Sequence, residues 1–176
     1  MADPTPTSTP NSRPHASESD AEVGEVRASA PNAHRFETLP LEQRAIWDNF
    51  CVWPERMFFP KMLGFQVEDI RLDYARVRMP YRPEHDQPAG VLHGGAIASL
   101  IDTVVVPAVG SPYDEIPVML TLSMTVNYTG VIAHEDAIAE GWTTRRGKSI
   151  VFCEASVRND AGDLVATGSM VYKVQA

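Results

Sequence analysis

Gly90-Val91-Leu92-His93-Gly94-Gly95-Ala96-Ile97-Ala98-Ser99-Leu100-Ile101-Asp102-Thr103-Val104-Val105-Val106-Pro107-Ala108-Val109 is the stretch whose reading decides the fold. Ala96, Ile97, Leu100, Ile101, Val104 and Val105 place apolar side chains nearly all round a helical wheel, as in a helix at the centre of a domain. Two features depart from an ordinary core helix. Gly94 and Gly95 sit in its first turn, each disfavouring helix by about 1 kcal/mol relative to Ala. Asp102 lies among aliphatics, where an unpaired charge is costly.

Both oddities have a chemical use. N–H groups in a first turn lack internal partners and carry the positive end of the helix dipole. Glycine there lets a carbonyl oxygen approach the backbone, which is how an oxyanion site is built. Asp102 in apolar surroundings suits a general base or a nucleophile. The plain alternatives are close packing at Gly94-Gly95 and a buried carboxylate satisfied by backbone or by Ser99, which stands at i, i+3 spacing. His93, just ahead of the helix, suits a loop-fixing hydrogen bond better than a base.

Outward from this helix the periodicity changes. Val118 to Tyr128 alternates cleanly, with Val118, Leu120, Leu122, Met124, Val126 and Tyr128 on one face and Thr121, Ser123, Thr125 and Asn127 on the other. Phe65 to Leu72 and Tyr74 to Tyr81 precede the helix as strands. Asp136 to Arg145, Ser149 to Asn159 and Leu164 to Val174 follow it, joined by turns at Arg146-Gly147-Lys148 and Asp160-Ala161-Gly162-Asp163. The order is two strands, one long helix, four strands: an α+β domain over 65–176, its antiparallel sheet covered by one central helix. So thin a layer leaves another face to cover, and dimerisation covers it.

Ahead of this domain, 36–64 reads as a helical segment: Leu41, Ala45, Ile46 and Phe50 recur at helical spacing, and a second short helix runs through Met57, Phe58 and Met62 to Gly64. Trp47, Trp53, Phe58 and Phe59 are expected in the core or a lid. Residues 1–35 are rich in Pro, Ser, Thr and Ala and are expected to be a disordered tail.

Composition narrows the function. A formal net charge of −8 without a basic block argues against general nucleic-acid binding. Cys51 and Cys153 lack paired spacing, so we expect reduced thiols, inert packing and no metal site. No apolar run reaches the roughly 20 residues of a membrane span, and no leader pattern opens the chain, so a cytoplasmic location without membrane attachment is expected.

Gly90-Val91-Leu92-His93-Gly94-Gly95, Leu100-Ile101-Asp102, Leu120-Thr121-Leu122 with Asn127-Tyr128, Arg146-Gly147-Lys148 and Ala161-Gly162-Asp163-Leu164-Val165-Ala166-Thr167-Gly168 together resemble the hotdog-fold thioesterases of the phenylacetate-pathway and 4-hydroxybenzoyl-CoA type. The resemblance covers roughly Phe65 to Val174. It implies a sheet wrapped around the central helix and hydrolysis of acyl-CoA thioesters, with coenzyme A as part of the substrate and no separate cofactor. By the same resemblance Asp102 is the nucleophile or base, Gly94 the N–H that holds the thioester carbonyl, Gln87 the loop residue that orients water or carbonyl, and Thr121 a hydroxyl that positions water. Gln87 stands where phenylacetate-pathway relatives typically have Asn.

Geometry adds a constraint. Gly94 and Asp102 are eight residues apart, about 12 Å along one helix, too far to serve one carbonyl within a chain. Composite sites in a two-fold homodimer, or a dimer of dimers, resolve this. Coenzyme A phosphates need basic groups, and Arg145, Arg146 and Lys148 cluster at one hairpin, where a solvated turn is the competing reading. His93 and Gly95 complete the expected binding set. Two other functions stay open: a hotdog enoyl-CoA hydratase, although Asp86 and His93 are seven apart rather than five, and a non-catalytic acyl-CoA-binding protein.

Overall fold

The computed structural model describes residues 30–175, so most of the expected tail lies outside the described residues. Within its last few positions contacts have already begun. Asn32 donates from its backbone and its side-chain amide to the buried Glu140, and Ala33–Arg35 forms a single 3₁₀ turn.

Six strands, β1 (Gln66–Arg71), β2 (Tyr74–Met79), β3 (Val118–Tyr128), β4 (Ala137–Arg146), β5 (Ile150–Arg158) and β6 (Leu164–Gln175), form one sheet in the order β1-β2-β4-β5-β6-β3, every neighbouring pair antiparallel. The long helix, Gly94–Gly110, lies across it and buries Leu100, Ile101, Val104, Val105, Ala108 and Val109. It ends at Gly110, with Pro107 inside its last turn. Glycine in the sheet lets it lie close. A Cβ on Gly168 would stand 2.5 Å from Ile101, and one on Gly141 would stand 2.8 Å from Val104 and Val105.

The N-terminal segment departs from expectation. The first helix, α1 (Leu41–Ala45), stops after five residues, and the second, α2 (Phe59–Met62), after four; the long central helix is α3. Such short helices are marginal on their own, and packing decides the path of the chain. Trp47, Phe50 and Cys51 turn inward, Trp47 against the Gly110 end of α3, while Leu41 is exposed. Edge-to-face contacts run Trp47–Phe50–Trp53–Phe58, with ring centroids 5.0–5.5 Å apart. Phe58 and Phe59 end this run at the surface. Cys51 and Cys153 are free and buried, and burial pushes both thiols up to about 12, so both stay protonated at neutral pH.

β3 holds the detail that positions the site. It is an edge strand of eleven residues, and Val118, Leu120 and Leu122 point to solvent. A bulge between Thr121 and Ser123 breaks its pairing with β6. An extra residue shifts the side-chain alternation by one, so Thr121 and Tyr128, seven apart, both turn to α3. An unbroken alternation would have sent them to opposite faces.

Candidate active site

The loop that delivers the chain to α3 is closed on itself. Gln87 donates its N–H to Val91 O and accepts at its own carbonyl from Gly90, both at 2.9 Å. Leu92 N–H reaches Ile132 O and His93 N–H reaches His85 O, each at 2.8 Å. His93 is the N-cap, its backbone extended and its Nδ1 accepting the Gly95 N–H at 2.8 Å. The imidazole caps the helix, which agrees with the loop-fixing reading and commits Nδ1 to the backbone. Gly95 N–H is thereby taken, whereas Gly94 N–H has no partner among the described residues. Gly94 O accepts from Tyr128 OH at 2.8 Å, so β3 fixes the same turn from outside.

The cap explains Gly95. A Cβ there would stand 2.9 Å from His93 Nδ1 and displace the ring. Gly95→Ala should therefore gain helix propensity and yet destabilise the protein by about 1 kcal/mol through loss of the cap. Thermal melting of the two proteins checks this; a variant that melts higher would show the cap to be dispensable.

Two turns on, Asp102 is half-buried. Its Oδ1 accepts from Thr121 Oγ1 at 2.9 Å and from Tyr172 OH at 2.6 Å, and the same phenol lies 2.9 Å from the Asp102 carbonyl. Oδ2 has no protein donor among the described residues, so one oxygen is anchored and the other is not. Burial, then the neighbouring Asp102 charge, hold the Tyr172 phenol well above its usual range, and it stays a donor. Thr121, expected to position water, here orients the acid. Tyr172→Phe keeps the buried ring and removes one of the two donors to Oδ1. Turnover should fall roughly tenfold with the fold retained, the size of one charge-assisted hydrogen bond; steady-state rates beside circular dichroism check it.

Other expected residues lie elsewhere. Ser99 does not support Asp102: its Oγ donates to Gly95 O at 2.8 Å, back along the helix. Arg146 turns inward to Asp73, lies 3.4 Å from Ala108 O and stacks over Tyr113. It is therefore held at the last turn of α3, about 21 Å along the axis from Gly94 of its own chain. Arg145 and Lys148 are exposed beside it.

A cavity of about 430 Å³ opens beside the first turn of α3, walled by Phe59 and Leu63 on one side and by Glu84, His85, Asp86, His93, Gly95, Ala96 and Ser99 on the other. Sequence reasoning missed His85, Tyr128 and Tyr172. The two tyrosines carry no local signal, because a bulge and a long-range strand pairing bring them to the helix. His85 lies in an irregular loop, where no periodicity marks its burial. No cluster of three or more metal-ligating side chains occurs among the described residues.

Residues 89–166, the loop, α3 and the strands that follow, match the family model of the thioesterase superfamily. A Halobacterium salinarum protein, described by name alone as an esterase, is 36% identical over 101 residues, 54% of this chain and 66% of its own length. A Saccharolobus solfataricus protein so described is 28% identical over 109 residues, 60% and 75% of the two chains. Among solved structures, the E. coli PaaI protein of the phenylacetic acid degradation operon shares the fold, with a TM-score of 0.67 over 76% of this chain and 96% of its own at 19% identity. A sheet closed over one glycine-led helix gives this chain the hotdog fold, and residues 89–166 carry the sequence pattern of the thioesterase superfamily.

Proposed function

We propose that the protein hydrolyses acyl-CoA thioesters as a homodimer with composite sites. The observation that carries this reading is the Asp102 carboxylate, pinned through Oδ1 by Thr121 and Tyr172 with Oδ2 left open. Oδ2 is not among the buried unpartnered atoms, so it stands where water or substrate can reach it.

The chemistry follows from the two ends of the rod. The thioester carbonyl sits at Gly94 N–H, where a single oxyanion donor is typically worth about 10²–10³ in rate. Asp102 either takes a proton from the attacking water or attacks the carbonyl itself. In both routes the C–S bond breaks and coenzyme A leaves as a thiolate, a good leaving group that needs no strong general acid. In the second route water then hydrolyses the acyl–Asp102 anhydride to the free acid and restores the carboxylate. Gln87, in the closed loop ahead of the helix, orients water or carbonyl.

One chain cannot supply both groups, because Asp102 is about 12 Å along α3 from Gly94. The exposed apolar edge of β3 supports a second copy. A long bare edge strand invites pairing with another strand, and self-pairing about a two-fold axis buries Val118, Leu120 and Leu122. The two α3 helices then run antiparallel, and each Asp102 faces the other chain's first turn. The same axis carries Arg145 and Lys148 toward the other subunit's site, where they meet coenzyme A phosphates.

Incubation with a panel of acyl-CoAs and a thiol reagent tests the reading. Release of free coenzyme A supports it. Hydration of an enoyl-CoA without release, or tight binding without turnover, would replace it with one of the two other functions.

A further inference from the structure

The cavity beside α3 contains two polar groups that the proposed chemistry leaves unused. His85 is only 5% exposed, yet its Nδ1 has no hydrogen-bond partner. The Leu63 backbone favours a proton on the ring, and with Nδ1 unpartnered that proton is placed at Nε2, which leaves Nδ1 as a bare acceptor. Burial, then the nearby Arg82 charge, lower its proton affinity and keep the ring neutral. The adjacent Asp86 accepts from Tyr81 OH through Oδ2 at 2.9 Å, while its Oδ1 is buried without a partner. Both residues line the cavity that reaches His93 and Gly95.

Two neighbouring buried acceptors without donors need an explanation, because nearly all such atoms are satisfied in a folded protein. The first turn of α3, where the reaction is placed, adjoins the same cavity. We propose that His85 Nδ1 and Asp86 Oδ1 accept a hydrogen bond from a neutral N–H or O–H of the bound thioester, and so hold its carbonyl at Gly94. This rests on the hydrolase reading above. Two parts of a thioester can bring the donor: the amide N–H two carbons from the sulfur in coenzyme A, or a hydroxyl on the acyl group.

Two pairs of substrates separate these sources. One pair joins a single acyl group to N-acetylcysteamine, which carries the amide, or to a simple alkanethiol, which does not. The other compares a hydroxylated acyl-CoA with its deoxy form. The wild-type protein should prefer the donor-bearing member of one pair by about tenfold in kcat/KM, as expected when a buried acceptor goes unmet. His85→Gln places its amide at the ε position, keeps a donor for Leu63 and removes the acceptor at δ, so that preference should fall to about one. His85→Asn keeps an acceptor at δ and should retain it. Asp86→Asn, with an amide at the cavity in place of an acceptor, should also lower it.

A wild-type protein indifferent within both pairs, or a His85→Gln protein with the wild-type preference, overturns the proposal. If the wild type hydrolyses no thioester at all, the hydrolase reading itself has failed, a distinct result.

Discussion

Asp102→Asn should leave the protein folded and remove most of its thioesterase activity, with turnover falling by roughly 10²–10⁴, the range for losing a positioned base. The substitution tests chemistry more than stability. Asn keeps an oxygen at the Oδ1 position, so Thr121 and Tyr172 still have an acceptor. What disappears is the negative charge on the oxygen left free. Coenzyme A release, followed with a thiol reagent, measures the loss, and thermal melting shows whether the fold survives. Near-normal turnover in a folded variant removes Asp102 from the mechanism.

The second large effect depends on sharing between subunits. Gly94→Pro should abolish activity by deleting the N–H alone. Proline suits the first position of a helix, and His93 already has the extended backbone that must precede it, with φ −65° and ψ 133°. A Cβ at Gly94 meets only Tyr128, at an ordinary 3.4 Å. When Gly94→Pro and Asp102→Asn proteins are dissociated together and re-paired at random, about half of the dimers are mixed. Each mixed dimer has one site with both defects and one with neither, so the mixture should recover about a quarter of wild-type activity from two nearly inactive parents. Sites built within single chains would recover none. Activity before and after re-pairing, with the dimer fraction followed by light scattering, decides between these outcomes.

The sequence made the scaffold legible because periodicity is a local property. The α3 stretch declared its burial through apolar residues all round, and β3 was bounded to the residue by its alternation. The N-terminal segment was not legible in the same way. Its helical spacing was real, but Trp47 is placed by packing on the Gly110 end of α3 and Phe50 by packing on Trp47, and α1 ends at Ala45. At the site, Gly94, His93 and Asp102 lie on one element, and their relation could be counted along the chain. Tyr172 reaches Asp102 from a strand 70 residues away, a contact that exists only after the sheet closes. Ser99 shows the converse. Its i, i+3 spacing from Asp102 suggested a contact, yet the hydroxyl found a nearer acceptor in Gly95 O.

The irregularity between Thr121 and Ser123 makes the length of this strand matter as much as its composition. Straightening the strand at its present length would turn either the hydroxyl that steadies the acid or the phenol that steadies the glycine turn outward, whereas losing the extra residue together with the bulge would leave the two six apart and still on one face. Point substitutions at the solvent-facing positions disturb neither. Homologues that share the mechanism should therefore keep these two side chains seven apart with the bulge or six apart without it, even where they change the residues between them.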